Sequence, residues 1–124
     1  MCLASTYLNE LSKIQRKMQS DIAKISKKES EYDRKVSDIY HKIEISKFNA
    51  CEGYYLSKEL QDVLQKRRVI KHEGSRLRNI YKSLSLGSRI PQVQKSIEKT
   101  IKENKEYTSN FGISFSDIES EVLH

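Results

Sequence analysis

The sequence has no tryptophan, one proline and four glycines in 124 residues. That scarcity of turn formers excludes a β-sandwich or barrel, which needs glycine, proline and their kin at each strand reversal. Long hydrophobic runs are absent too. No window approaches the roughly 18 consecutive apolar residues of a membrane span, and the N-terminus lacks the basic-then-apolar plan of a secretory signal, so a soluble chain with no membrane partner is expected. Cysteine is represented by Cys2 and Cys51. They are too few and too far apart for a disulfide framework or a CxxC metal site, and both read as reduced thiols. His41, His72 and His124 have no carboxylate or cysteine at zinc-site spacing, so neither a metal nor a cofactor is expected.

Catalytic signatures are missing as well. No GxGxxG, P-loop, GxSxG or HExxH occurs, and His72–Glu73 and Cys51–Glu52 are sequence neighbours that a helix would aim in different directions. A catalytic constellation needs a nucleophile or base with a tuning partner, and none is legible, so no catalytic residue is assigned and an enzyme is not expected.

What remains is a mainly α chain of 14.5 kDa, sized for one domain spanning residues 1–124. From Tyr7 or Leu8 through Leu11, Ile14, Met18, Ile22, Ile25, Tyr32, Val36, Ile39 and Ile43, apolar residues recur at steps of three, four and seven, with Glu29 in one vacant position. This stripe is narrower than that of a helix packed into a globular core, and it predicts one long helix over 6–45 lying along another helix. Asn49 followed by Glu52 fits a capping box that opens a second helix over 50–84, with Gly53, Leu56, Leu60, Val63, Ile70, Gly74, Leu77, Tyr81 and Leu84 on its stripe. Arg67 fills one interruption, and Gly74 suggests close backbone approach to a partner helix or a kink. The short connection makes the two a long antiparallel hairpin. Gly87 reads as a left-handed cap, and Pro91 as the first turn of a third helix over 91–106. In the tail, 107–124, Phe111, Ile113 and Phe115 alternate with small residues in a strand-like way, and Ser116 with Glu119 suits a cap for a last turn. Two narrow stripes cannot enclose a core, which predicts a homo-oligomer.

The net charge of +6 is unevenly placed. Residues 1–50 hold ten basic and seven acidic side chains, whereas residues 66–89 hold eight basic ones against the single acid Glu73. A focused positive field attracts anions. Arginine forks fit phosphate oxygens and an aromatic face stacks on a base. The candidate ligand-binding residues are therefore Arg76, Arg78 and Arg89 for phosphates and Tyr81 or Tyr107 for a base. Arg67, Arg68 and Lys105 are secondary candidates. Arg76 and Arg78 flank Leu77 on opposite sides of a straight helix, so one chain cannot aim both at one small ligand.

The stretch KIEISKFNACEGYYLSKELQDVLQKRRVIKHE, Lys42 to Glu73, resembles the helix-turn-helix segment of small bacteriophage proteins of the Thoeris anti-defence sponge family. The FNACEGY and KRRVIKHE parts carry the likeness, which covers about a quarter of the chain. The resemblance implies an oligomer of long helices that sequesters cyclic ADP-ribose isomers in the host cell cytoplasm without cleaving them. That family uses an aromatic stack and arginines on the phosphates, whereas here the tail from Tyr107 onward has no arginine. The alternative from composition alone is a basic helical protein that binds nucleic acid or blocks an acidic protein surface.

Overall fold

The computed structural model describes residues 2–124. Four helices account for most of them: α1 (Leu3–Ile45), α2 (Ala50–Leu84), α3 (Leu86–Thr108) and α4 (Phe115–Leu123). The mainly α class follows, with no strand among the described residues. The chain divides into two compact units, one holding the chain up to Gln15 together with Ser85–His124, the other Arg16–Leu84.

In the Arg16–Leu84 unit, α1 and α2 run antiparallel. Gln19 meets Tyr81, Ile25 meets the Gly74 position, and Asp33 meets Arg67, so numbers rise on one helix as they fall on the other. Ser46 N–H closes α1 on the Lys42 carbonyl at 3.0 Å. Four residues later α2 begins, with the Glu52 N–H donating to Asn49 Oδ1 at 2.9 Å. Gly53 lies close to the Phe48 ring, from which a Cβ would be 3.3 Å, where the ring folds over the turn. Ile39 and Val63 are the buried apolar residues, and Met18, Ile22, Ile25, Tyr32, Val36, Ile43, Leu56, Leu60, Ile70 and Leu77 are half-buried along the seam. Gly74 is buried as well. A Cβ there would fall against Glu29 Oε1 and 3.0 Å from Ile25 Cγ2, so the glycine marks close helix approach and no kink is needed to explain it.

The other unit departs from several expectations. Helix α3 lays Ile90, Ile97 and Ile101 along a shallow cleft whose other wall is Ser5, Leu8, Asn9 and Ser12 of α1. The inward residues of α1 here are Leu8, Ser12 and Gln15, while Tyr7, Leu11 and Ile14, expected on the seam, are exposed. The apolar pattern was periodic, but the partner helix sits over its polar edge. Gly87 is not the left-handed cap. Ser85 takes that conformation (φ 49°), and its carbonyl receives the N–H groups of Ser88 and Arg89 at 3.2 and 3.0 Å. Gly87 instead lies inside α3, where a Cβ would come within 3.3 Å of Gln15 Nε2. Pro91 likewise falls inside α3 and not at its start. Its missing N–H forfeits one intrahelical bond, to the Gly87 carbonyl, the loss that proline brings beyond the first turn of a helix.

The strand-like reading of the tail does not hold. Phe111 to Ser114 is an irregular connection, because no second strand lies beside it to take its backbone bonds. Helix α4 opens at Ser114, whose N–H donates to Asp117 Oδ2 at 2.8 Å, two residues before the expected Ser116–Glu119 cap.

Candidate anion-binding surface

The basic stretch is helical except at Ser85, so its charges are sorted by helical direction. Those on the flank next to α1 meet carboxylates. Arg67 Nε donates to Asp33 Oδ1 at 2.6 Å, and Lys71 Nζ approaches the same oxygen at 3.4 Å. The Arg67 hydrogen bond, with the Lys71 charge behind it, holds the Asp33 carboxyl below the usual aspartate range. About two turns beyond Lys71, the Arg78 guanidinium spans Glu29, with Nη1 at 3.1 Å from Oε1 and Nη2 at 3.2 Å from Oε2. Its Nη2 also donates to Ser26 Oγ at 2.8 Å. The Glu29 side chain is 18% exposed and that of Arg78 40%, so the carboxylate is the more withdrawn partner of a part-buried pair. Gly74 makes the room for it.

Of the expected ligand residues, Arg67 and Arg78 are thus committed to joining α1 to α2. Tyr81 shares that duty, since its hydroxyl accepts a hydrogen bond from Gln19 Nε2 at 3.0 Å. Arg76 points elsewhere and makes an exposed pair with Glu73 at 3.3 Å. Arg68 is exposed, on the solvent face it shares with His72 and Asn79, and has no ion-pair partner among the described residues. Arg89, on the first turn of α3, is exposed and unpaired in the same sense.

Lys105 and Tyr107 stand near the C-terminal end of α3. Lys105 lines a shallow groove with Glu98, Ile101, Lys102, Glu106 and Ser109. Tyr107 is 82% exposed and meets Phe111 edge-on, with ring centroids 6.4 Å apart. Two positions apart on a helix, Lys105 and Tyr107 project about 200° from each other, as Arg76 and Arg78 do. Arg89 precedes Tyr107 by 18 residues, a rise of roughly 27 Å. Helix α3 therefore does not by itself gather Arg89, Lys105 and Tyr107 around one small ligand.

The residues that sequence reasoning missed are the counter-ions Glu29 and Asp33 and the hydroxyl acceptor Ser26. Their signal was available. Glu29 interrupts the α1 stripe as Arg67 interrupts that of α2, and Asp33 follows Glu29 at the i+4 spacing that puts both on one edge. Two further clefts between α1 and α2 hold none of the expected residues. One is lined by Lys24, Lys28, Val69 and Glu73, the other by Lys35, His41, Lys42, Glu59 and Asp62. Among the described residues no three His, Cys, Asp or Glu side chains group as metal ligands, and no helix is long and apolar enough to cross a membrane. Compared with family models, with curated proteins and with solved structures, the chain matches none.

Proposed function

We propose that this protein sequesters a small phosphate-bearing nucleotide of the cyclic ADP-ribose type without cleaving it, acting as a phage anti-defence sponge in the host cytoplasm and as a homo-oligomer. The reading rests on the resemblance over Lys42 to Glu73 and on one structural observation. The basic stretch is divided: Arg67 and Arg78 are locked by carboxylates, whereas Arg68 and Arg89 are exposed without ion-pair partners and Arg76 has only an exposed i,i+3 pair. Such exposed pairs contribute little, so Arg76 exchanges Glu73 for a phosphate at small cost. The ligand set is accordingly Arg68, Arg76 and Arg89 for phosphates, with Tyr107 for the base and Lys105 beside it. In this reading the homo-oligomer supplies them to the ligand from more than one copy.

Isothermal calorimetry with cyclic ADP-ribose isomers tests the reading. Saturable binding, with intact ligand recovered after heating, is expected, and alanine at Arg76 or Arg89 weakens it by about 30-fold or more, the usual consequence of removing a charged contact to a desolvated phosphate. Folded protein that binds no isomer would reject it. The second reading, a helix face lying along nucleic acid, is favoured by the exposure of Arg68, His72 and Asn79 on one side of α2. It differs in salt response: a polymer contact releases several counterions and weakens steeply between 50 and 200 mM salt, and a ligand with two phosphates does not.

A further inference from the structure

We infer that the outer face of α1, from Arg16 to Lys42, is a sequence-independent contact surface for the phosphate backbone of a nucleic-acid duplex. The inference takes its ligand class from the second reading above, on which it rests, and moves the contact from α2 to α1. It uses none of the candidate nucleotide-binding residues. Lys17, Lys24, Lys28, Lys35 and Lys42 follow one another at steps of seven, four, seven and seven. At about 100° per residue they fall within a sector roughly 40° wide, one row along a flank of the helix. Arg16, Lys27 and Arg34 make a second row about 80–100° farther round, on the side turned away from α2. All of these basic side chains are exposed. Between the rows stand Ser20, Glu31 and Asp38, so the face holds two acids against eight bases and no apolar side chain.

In sequence α1 reads as close to charge balance. The fold upsets that balance, because Glu29 and Asp33 turn to α2 and pair there with Arg78 and Arg67. Glu31 registers the field that remains. The hydrogen bond and charge of Lys28, 3.0 Å away, with the charges of Lys27 and Lys35 behind, hold its carboxyl below the usual glutamate range. Across the clefts on the α2 side stand Glu59, Asp62 and Glu73, yet none forms an ion pair with the lysine row. Asp62 and Glu73 are held by Lys66 and Arg76 of their own helix, at 3.0 and 3.3 Å.

The make-up of the face selects the ligand. A helix that enters a membrane surface does so through apolar side chains, and a protein interface is anchored by aromatic or aliphatic ones, and this face has neither. A single strand stacks its bases on aromatic rings. The ring bordering the face, Tyr32, is half-buried with Lys35 Nζ 4.5 Å above it. A duplex backbone asks only for cations along its length, and it presents a negative charge about every 1.7 Å. From Arg16 to Lys42 the face runs roughly 39 Å, close to one duplex turn of about 34–36 Å.

Fluorescence anisotropy with labelled DNA and RNA duplexes of about two turns, and with the DNA single strand, tests this. Wild-type protein is expected to bind at least one duplex more tightly than the single strand. Its affinity should fall by about 100-fold between 50 and 200 mM salt, as about four phosphate contacts require. Lys24→Gln combined with Lys35→Gln, about two contacts fewer, is expected to bind more weakly and to lose only about 10-fold over that range. The control with the same charge change, Lys95→Gln with Lys99→Gln at exposed positions of α3, is expected to behave as wild type. Should the Lys24, Lys35 variant fail to fold, acetylation of the wild type decides, with the duplex protecting Lys24 and Lys35 and leaving Lys95 and Lys99 open. Tighter binding of the single strand, a folded Lys24, Lys35 variant that matches the control, or acetylation that does not distinguish the two lysine pairs would each overturn the inference. If Arg68→Gln with His72→Gln then abolishes binding, the second reading survives on α2, whereas a wild type that binds no nucleic acid overturns both.

Discussion

Gly74 is where side-chain scale reasoning is most demanding, because two effects of opposite sign meet there. Alanine in an exposed helix position gains about 1 kcal/mol over glycine. At 74 the added Cβ falls against Glu29 Oε1 and 2.9 Å from Arg78 Nη1, so the ion pair has to open. Opening it leaves a largely dehydrated carboxylate without its partner. Gly74→Ala is therefore expected to destabilise by about 1–2 kcal/mol net, read from urea unfolding midpoints. A stabilised Gly74→Ala would mean that Glu29 does not sit where the pair requires. Asp33 supplies a pH dependence. Its folded pKa lies below the ordinary value, so its contribution is present above that value and is lost as pH falls through the depressed one. Stability measured from pH 6 down to pH 2 should fall less steeply in Asp33→Asn than in the wild type, because that variant has already lost the titrating carboxylate.

Helix ends decide the element scale. Asn49 caps α2 through the Glu52 N–H, and Asn49→Ala should cost about 1 kcal/mol. Ser85 is in the left-handed region with φ 49°, where a Cβ is unfavourable by about 1 kcal/mol. Ser85→Gly should raise the thermal midpoint, whereas Ser85→Val should lower it. Calorimetric scans of the pair separate backbone strain from loss of the Ser85 side chain, since that explanation lowers both. The helices themselves were legible in the sequence: α2 runs from Ala50 to Leu84 as its cap and stripe implied, and α1 begins three residues early. The α3 start was not, since Pro91 and Gly87 suit a helix start and a helix end equally well on local chemistry, and what placed them inside α3 is the approach of Gly87 to Gln15. The tail misled for a related reason. Alternation over Phe111–Phe115 needs a neighbouring strand to mean a strand, and this chain offers none.

At the scale of the whole molecule, the sequence conveyed that a single copy cannot bury its apolar stripes, while the location of the deficit was hidden. The pattern from Tyr7 to Ile25 reads as one seam, yet α2 covers its later part and α3 sits on the polar edge of its first turns. The candidate site was legible to the extent that arginine was abundant between residues 66 and 89. Which arginines were already spent was not, because Glu29 and Asp33 lie some 35 to 50 residues away and meet them only across the hairpin. Arg78→Ala should accordingly act through folding, lowering stability by about 1–2 kcal/mol, whereas Arg89→Ala should leave unfolding unchanged and lower ligand affinity. Denaturation curves and titrations on the same two variants distinguish these roles.

The central claim is that a non-catalytic ligand site is completed by association of copies. It is tested most directly by calorimetric titration of cyclic ADP-ribose isomers into the wild-type protein at chain concentrations where sedimentation shows it associated and where it shows single copies. Binding by the associated protein, at no more than one ligand per chain and weakened on dilution to single copies, is the predicted result. Equal binding by single copies, or no binding at either concentration, would contradict the account.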